Sequence, residues 1–227
     1  MSRTDAMASW DAIAESFDAT RQKPWPLVLK FIENLPTRNV LLDLGCGNGR
    51  HLLPAAEHSA HAIGVDFSRK LLTITQKKIR ERQVVNVSLM QADLMHLPLD
   101  ESTADAIVFI AALHNIVGRE NRRQALREVH RVLQPDGRAL ISVWSRWQDA
   151  YRRHFLREFF RHTSEFGDIE LIWRQHQLNI PRFYHLYSRS EFLRDLAASD
   201  LEVRSLQATR FFSRVSPDNY FAVVAKH

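Results

Sequence analysis

The residues Val40-Leu41-Leu42-Asp43-Leu44-Gly45-Cys46-Gly47-Asn48-Gly49-Arg50 constrain this chain more than any others. An apolar strand pattern runs into a carboxylate and then turns through three alternate glycines into a helical pattern. A glycine omits the Cβ where a backbone must bend sharply or pass close to a ligand. The fingerprint that seats a dinucleotide pyrophosphate on a helix N-terminus is spaced G-x-G-x-x-G. Here the spacing is G-x-G-x-G, and Asp43 stands two residues ahead of the first glycine. A carboxylate there is an awkward neighbour for pyrophosphate and suits a ligand that is cationic at that point.

The rest of the chain sets the frame for that loop. At 227 residues it can bury one substantial core. Hydrophobic residues at 45% and charged residues at 25% are ordinary for a globular protein. No apolar run approaches the ~20 residues of a membrane span, and the first residues lack a signal-peptide core, so a cytoplasmic protein is expected. The single cysteine, Cys46, lies inside the glycine loop, which excludes an intrachain disulfide and a self-contained cysteine zinc site; no metal is expected. The formal charge of +5 mildly favours an anionic partner. Lysine occurs only at 23, 30, 70, 77, 78 and 226, so the positive charge is mostly arginine, whose flat fork suits phosphate and carboxylate. A solvated basic surface is the plain alternative.

Apolar spacing predicts a helix over 8–18, capped by Ser9, and a second over 26–35 after the basic turn at 20–26. Strands are expected at 39–43, 61–66, 86–90, 105–110 and 138–144, the last entered through the turn Gln134-Pro135-Asp136-Gly137. Helices are expected after the glycine loop and over 69–82 and 119–133. This alternation calls for a mainly parallel sheet with helices on both faces. An irregular stretch at 146–184 precedes a capped helix over 188–199 and two final strands, 201–207 and 220–225. The expected organisation is one domain, 1–227, with an N-terminal helical extension (1–38), a core (39–145), an insertion or lid (146–184), and a helix with a closing hairpin (185–227).

Acids stand at three successive strand ends: Asp43, Asp66 roughly 20 residues on, and Asp93. Each alone reads more often as a helix cap than as a ligand group. Together, in order, beside the loop, they point to a ligand at the carboxyl edge of a sheet. The loop resembles motif I of the class I S-adenosylmethionine-dependent methyltransferases, which implies a Rossmann-like fold of seven strands with a C-terminal antiparallel hairpin. That resemblance implies that Asp43 and the backbone of Gly45, Gly47 and Gly49 meet the methionine portion of the cofactor, and that Asp66 takes the ribose hydroxyls. Asp93 falls where such proteins hold the adenine amino group, and Ala111 to His114 line the methyl end.

Two flanking segments narrow the resemblance: Ile13-Ala14-Glu15-Ser16-Phe17-Asp18-Ala19-Thr20-Arg21-Gln22-Lys23-Pro24-Trp25-Pro26, and Phe183-Tyr184-His185-Leu186-Tyr187. Both are similar to the tRNA wobble-uridine carboxymethyl methyltransferases, which esterify 5-carboxymethyluridine. Where that family often carries paired histidines, this chain has Leu113-His114-Asn115. A carboxylate acceptor is already ionised near neutral pH and needs no general base. The resemblance implies that Arg21 orients the acceptor carboxylate and that His114 shapes the pocket, with Lys23, Tyr184 and His185 on the substrate side. For Arg21 the alternative is a solvated loop residue or an ion pair, and for His114 a structural hydrogen bond. Trp10 and Trp25 are expected to pin the N-terminal helices to the core.

The 146–184 stretch interleaves arginines at 146, 152, 153, 157, 161, 174 and 182 with Trp147, Tyr151, Phe155, Phe159, Phe160 and Trp173. Such a stretch suits a single-stranded RNA loop, with Arg153 and Arg157 as contacts, or a buried stripe with arginines outside. The resemblance also implies a heterodimer with a small zinc-binding activator protein on the third strand, 86–90 (Asn86-Val87-Ser88-Leu89-Met90), expected at the sheet edge. Two rival functions remain: a small-molecule methyltransferase of the quinone or amine type, and a catalytically silent module of this fold that binds RNA or protein.

Overall fold

The computed structural model describes residues 3–36, 40–158 and 165–226. A seven-stranded sheet organises them, built from β1 (Val40–Leu44), β2 (His61–Asp66), β3 (Val87–Gln91), β4 (Ala104–Ile110), β5 (Leu133–Trp144), β8 (Leu201–Thr209) and β9 (Asn219–Lys226). Its order is β3-β2-β1-β4-β5-β9-β8. The first five strands are parallel, and β9 runs antiparallel to both β5 and β8. The class I methyltransferase fold expected from the loop is therefore present, with β3 at one edge.

Parallel strands are apolar on both faces because helices cover both. Leu41, Ala106, Val108, Leu140 and Phe221 point to one side, where Val28 and Ile32 of α2 (Pro26–Glu33) close the core. Leu42, Ile107, Phe109, Ile141 and Val143 point to the other. There they meet Leu126 and Val129 of α5 (Arg119–Val132) and Phe192 and Leu196 of α7 (Arg189–Ala197). The chain leaves β1 toward β2 on one flank and β4 lies on the other. That reversal opens a crevice at the strands' carboxyl ends. No helix of the described residues is long and apolar enough to cross a membrane.

Several boundaries differ from the sequence expectation. Helix α1 spans Arg3–Thr20, so Ser9 is interior and caps nothing. Strand β5 begins at Leu133, and residues 134–137 form a bulge, not a turn ahead of the strand, because Leu133 pairs Ala104 while Arg138 pairs Ala106. The stretch 146–184 is not irregular: helix α6 (Arg152–Glu158) is followed by an antiparallel pair, β6 (Asp168–Trp173) and β7 (Ile180–His185). Phe155 is buried as the stripe reading required, whereas Phe159, Phe160 and Arg161 lie outside the described residues. A two-stranded ribbon is marginal alone and needs a packing surface. Helix α1 supplies it, with the Trp173 indole donating to Ser16 Oγ at 2.8 Å.

A buried polar cluster ties this ribbon to the main body. Arg122 on α5 is fully buried; it donates to Tyr187 Oη at 2.9 Å and to Ile116 O at 3.3 Å, and pairs with Glu165. Arg146 pairs with Glu191, the acid that completes the capping box of α7 with Ser188. His185 bridges Asp168 Oδ1 at 2.7 Å and Glu191 Oε1 at 3.1 Å. Glu165, His185 and Glu191 lie close enough for a metal site, but the guanidiniums of Arg119, Arg122 and Arg146 already serve those carboxylates. Removing one member of a buried pair leaves an uncompensated charge. Arg122→Ala should therefore cost about 3–5 kcal/mol in denaturant unfolding, and a loss below about 1 kcal/mol would contradict this reading.

Candidate functional site

A cleft of about 1190 Å³ lies over the carboxyl ends of β1, β2 and β4. The glycine loop forms one wall. The amides of Gly45 and Cys46 both donate to Val65 O, at 2.8 and 3.0 Å, which folds the loop back over β2. Gly45 has φ +71, and a Cβ there would collide with the Cβ of Ala112 at the end of β4. A side chain at this position would push the loop off the sheet. Gly49 has φ +76 and faces α4 (Arg69–Glu81), where a Cβ would sit 2.7 Å from Thr75 Cγ2. Gly45 and Gly47 line the cleft, and Gly49 packs behind it.

The strand-end acids lie where the sequence indicated, in unlike settings. Asp43 is only 2% exposed, at the root of the loop, and its Oδ2 has no hydrogen-bond partner. Burial, then the charge of Asp66, pushes its carboxyl up to about 7 against the pull of Arg50. Asp66 lines the cleft and accepts from Gly47 N and Ser68 N, both at 2.8 Å, yet burial still raises it to about 6. Asp93 lines the cleft and accepts from Met95 N at 3.0 Å. Ala111 follows β4 with φ +54, its amide held by Ser142 Oγ at 3.0 Å. A non-glycine residue in that region is strained, and such strain collects at ligand sites.

The opposite wall comes from α1, β7 and the segment after β4. Asn48 of the glycine loop donates to Asp18 Oδ1 at 2.8 Å and to Arg21 O at 3.0 Å, while Lys78 pairs with Asp18. These bonds hold the end of α1 and put Arg21 at the rim, with Lys23 beside it. His114 is buried; its Nδ1 accepts from Trp144 N at 3.1 Å, which leaves the proton on Nε2. Burial, then His185 and Arg182, lowers it to about 3, so it is a neutral donor and not a base. Tyr184 stacks on Trp144 at 5.0 Å with planes 2° apart, and burial raises its phenol to about 12.

Three expected substrate residues stand elsewhere. Tyr184 and His185 are neighbours on a strand, so they point to opposite faces. Tyr184 faces the cleft; His185 faces the buried cluster with both ring nitrogens engaged. Arg153 and Arg157 are exposed on α6 and do not line the cleft. Arg50, His51, Trp144, Trp173 and Arg182 line it and were not singled out as site residues by sequence. Arg182 was signalled by its place two residues before Tyr184, which puts both on one strand face.

This arrangement can hold a cationic ligand at the loop and an anion at the rim. Its acceptor side offers arginine and lysine cations, a neutral histidine donor and high-pKa phenols, a setting that suits a nucleophile already anionic. A family described as methyltransferase domain matches residues 41–137. A tRNA (carboxymethyluridine(34)-5-O)-methyltransferase of Schizosaccharomyces pombe is 32% identical over 205 residues, covering 80% of this chain and 82% of that one. One of Arabidopsis thaliana is 39% identical over 140 residues, covering 62% and 32%. The chain spans 20–32% of the length of that protein and of its relatives from Mus musculus and Macaca fascicularis. A methyltransferase structure from Methanosarcina mazei superposes with a TM-score of 0.75 at 19% identity, covering 90% of this chain and 98% of that one.

Fold and loop together define a class I methyltransferase domain. More narrowly, the chain belongs to the tRNA (carboxymethyluridine(34)-5-O)-methyltransferase family. Its cleft fits S-adenosylmethionine: the orphaned oxygen of Asp43, buried at the root of the loop, would answer a cation, Asp66 on the cleft wall would take ribose hydroxyls, and Gly45 and Gly47 admit close approach to the backbone. A cation near Asp43 favours its charged form, so binding draws the proton off. Cofactor affinity should then rise from pH 5.5 to 7 with proton release, read by calorimetry in two buffers. Asp43→Asn should bind weakly and without that slope; a pH-independent wild-type affinity would contradict the assignment.

Proposed function

We propose that this protein methylates the carboxylate of 5-carboxymethyluridine at the wobble position of tRNA, forming the methyl ester. The observation that carries the reading is an acceptor wall rich in cations whose histidine is neutral and whose carboxylate, Asp218, is committed to the amides of Phe211, Phe212 and Ser213, which suits a nucleophile that is anionic from the start. Bound S-adenosylmethionine supplies a methyl group on a sulfonium. Arg21 orients the carboxylate by a forked contact, and His114 offers its Nε2 proton as a fixed donor in the pocket wall. A tight ion pair also dulls the nucleophile, so Arg21 orients and does not activate. The protein's task is alignment of two groups at ~3 Å and exclusion of water.

The anticodon loop would meet a basic, aromatic rim. Lys23 lies on the cleft edge and Arg153 and Arg157 project from α6. Phe212 is 90% exposed at the cleft beside the exposed Arg210 and Arg214, on a loop pinned by Asp218 and Asp149. Exposed aromatics among arginines suit unstacked bases. A small zinc-binding activator would add to the β3 edge, where Val85 is 94% exposed and Leu72 and Leu89 border a shallow groove. Such a tRNA-modifying pair would work in the cytoplasm.

Labelled S-adenosylmethionine with tRNA from cells lacking this protein tests the reading, with the chain assayed alone and with its activator. An ester loses label as methanol in mild base, whereas base-stable label would point to N- or C-methylation and sink the proposal. Arg153→Glu with Arg157→Glu should weaken tRNA binding at least several-fold and flatten its salt dependence, by filter binding across a salt series. Unchanged binding would remove α6 from the interface.

A further inference from the structure

Among the described residues, Arg182 is the buried arginine without a carboxylate partner. It is 8% exposed, on β7, facing the cleft. Its guanidinium carbon lies 4.6 Å from the ring centre of Trp173, 5.0 Å from Tyr184 and 5.2 Å from Trp10. Its Nε is buried without a hydrogen-bond partner. No carboxylate among the described residues pairs with it, and the undescribed segments contain no Asp or Glu. Its charged and titratable neighbours are the phenol of Tyr184, which accepts a hydrogen bond from it, the phenol of Tyr151, the neutral His114 and a second cation, Arg21. The other deeply buried arginines differ: Arg122 pairs with Glu165 and Arg146 with Glu191.

Aromatic faces offset part of the cost of burying a cation, but a guanidinium also requires acceptors for its N–H groups. Arg21 adds to the deficit, since its guanidinium carbon is 5.5 Å from the same Trp173 ring. Two guanidiniums therefore share one indole at the wall of one cleft, and no carboxylate among the described residues pairs with either. A planar anion with two oxygens satisfies both forks.

We propose that Arg182 is the principal seat of the acceptor carboxylate, reaching it from the cleft floor while Arg21 closes on it from the rim, and that this pair distinguishes the anionic substrate from the neutral ester product. The proposal rests on the tRNA-carboxylate reading above. In the reaction a carboxylate oxygen forms a bond to the methyl carbon as the carbon–sulfur bond breaks, and the electron pair stays on sulfur. The carboxylate thereby becomes an uncharged ester and the sulfonium an uncharged thioether. Arg182 then faces a ligand that no longer answers its charge. The attraction that loaded the substrate is absent from the product, so release needs no movement of the arginine. Because the ion pair weakens as the methyl transfers, loss of Arg182 should raise KM far more than it lowers kcat.

The test uses anticodon stem-loop RNAs carrying 5-carboxymethyluridine, its methyl ester or the uncharged carbamoylmethyl analogue, bound to the full chain with its activator and S-adenosylhomocysteine. Wild type should bind the acid at least 10-fold more tightly than either neutral form. Arg182→Met should bring that ratio to within about two-fold of unity, with neutral-RNA and S-adenosylhomocysteine affinities unchanged within two-fold. Arg182→Lys should restore an intermediate ratio. A wild-type ratio of at least 10 that persists in Arg182→Met overturns the Arg182 proposal and leaves the substrate reading standing. A wild-type ratio near one overturns both. If Arg182→Met fails to bind S-adenosylhomocysteine, Arg182→Lys decides: an intermediate ratio supports the proposal and a wild-type ratio overturns it.

Discussion

Charge left uncompensated at the two ends of one cleft is the constraint from which the rest of this structure follows. A parallel sheet brings all its carboxyl ends to one edge, and here the last residues of β1 include Asp43, which Arg50 offsets only in part and whose Oδ2 has no hydrogen-bond partner among the described residues. Across the cleft, Arg21 and Arg182 stand against Trp173 with no acid between them. Each end alone would be a local destabilisation. Facing each other, they suit one cation and one anion, whose charges cancel in the proposed reaction. That cancellation is the chemistry of methyl transfer from a sulfonium to a carboxylate.

Holding such an arrangement open requires stiffness elsewhere. The end of α1 is fastened to the glycine loop through Asn48, Asp18 and Lys78, so the rim arginine moves with the cofactor wall. The ribbon that bears Arg182 is fixed from behind by Arg146, Glu191 and His185. Tyr187 receives the Arg122 Nε–H and packs on Phe192, tying the same layer to α7. Buried networks of this kind tolerate no missing member, because each polar group left over would be desolvated without return. The insertion after β5 is accordingly part of the binding wall.

Much of this was legible from sequence where the physics is local. The glycine spacing gave the loop, and apolar runs bounded by turn residues gave β1 through β4 within a residue or so. Asp66 and Asp93 fall on the cleft because strand ends in a parallel sheet share an edge. The insertion resisted reading because its ribbon is buried by contact with α1, a long-range fact that no short window contains. His185 was grouped with Tyr184 by proximity in sequence, although strand alternation separates them. Ser9 looked like a cap because the apolar stripe starts at Trp10, yet Arg3 to Ala8 extend the helix by under two further turns. Arg182 was counted with a basic surface; its importance lies in the acids it lacks, and an absent partner leaves no mark in sequence.

The neutral His114 sharpens the chemical argument. Its Nδ1 is committed to the Trp144 amide and its environment disfavours charge, so it can donate but not remove a proton. An acceptor that must lose a proton on attack, such as a phenol, would find no base in His114. The most direct test is a crystal structure with S-adenosylhomocysteine and a 5-carboxymethyluridine-containing anticodon loop. The account predicts the nucleoside carboxylate within 3.2 Å of guanidinium nitrogens of both Arg182 and Arg21, with one oxygen directed at the sulfur. A carboxylate turned to solvent, with the base edge directed at the sulfur, would contradict it.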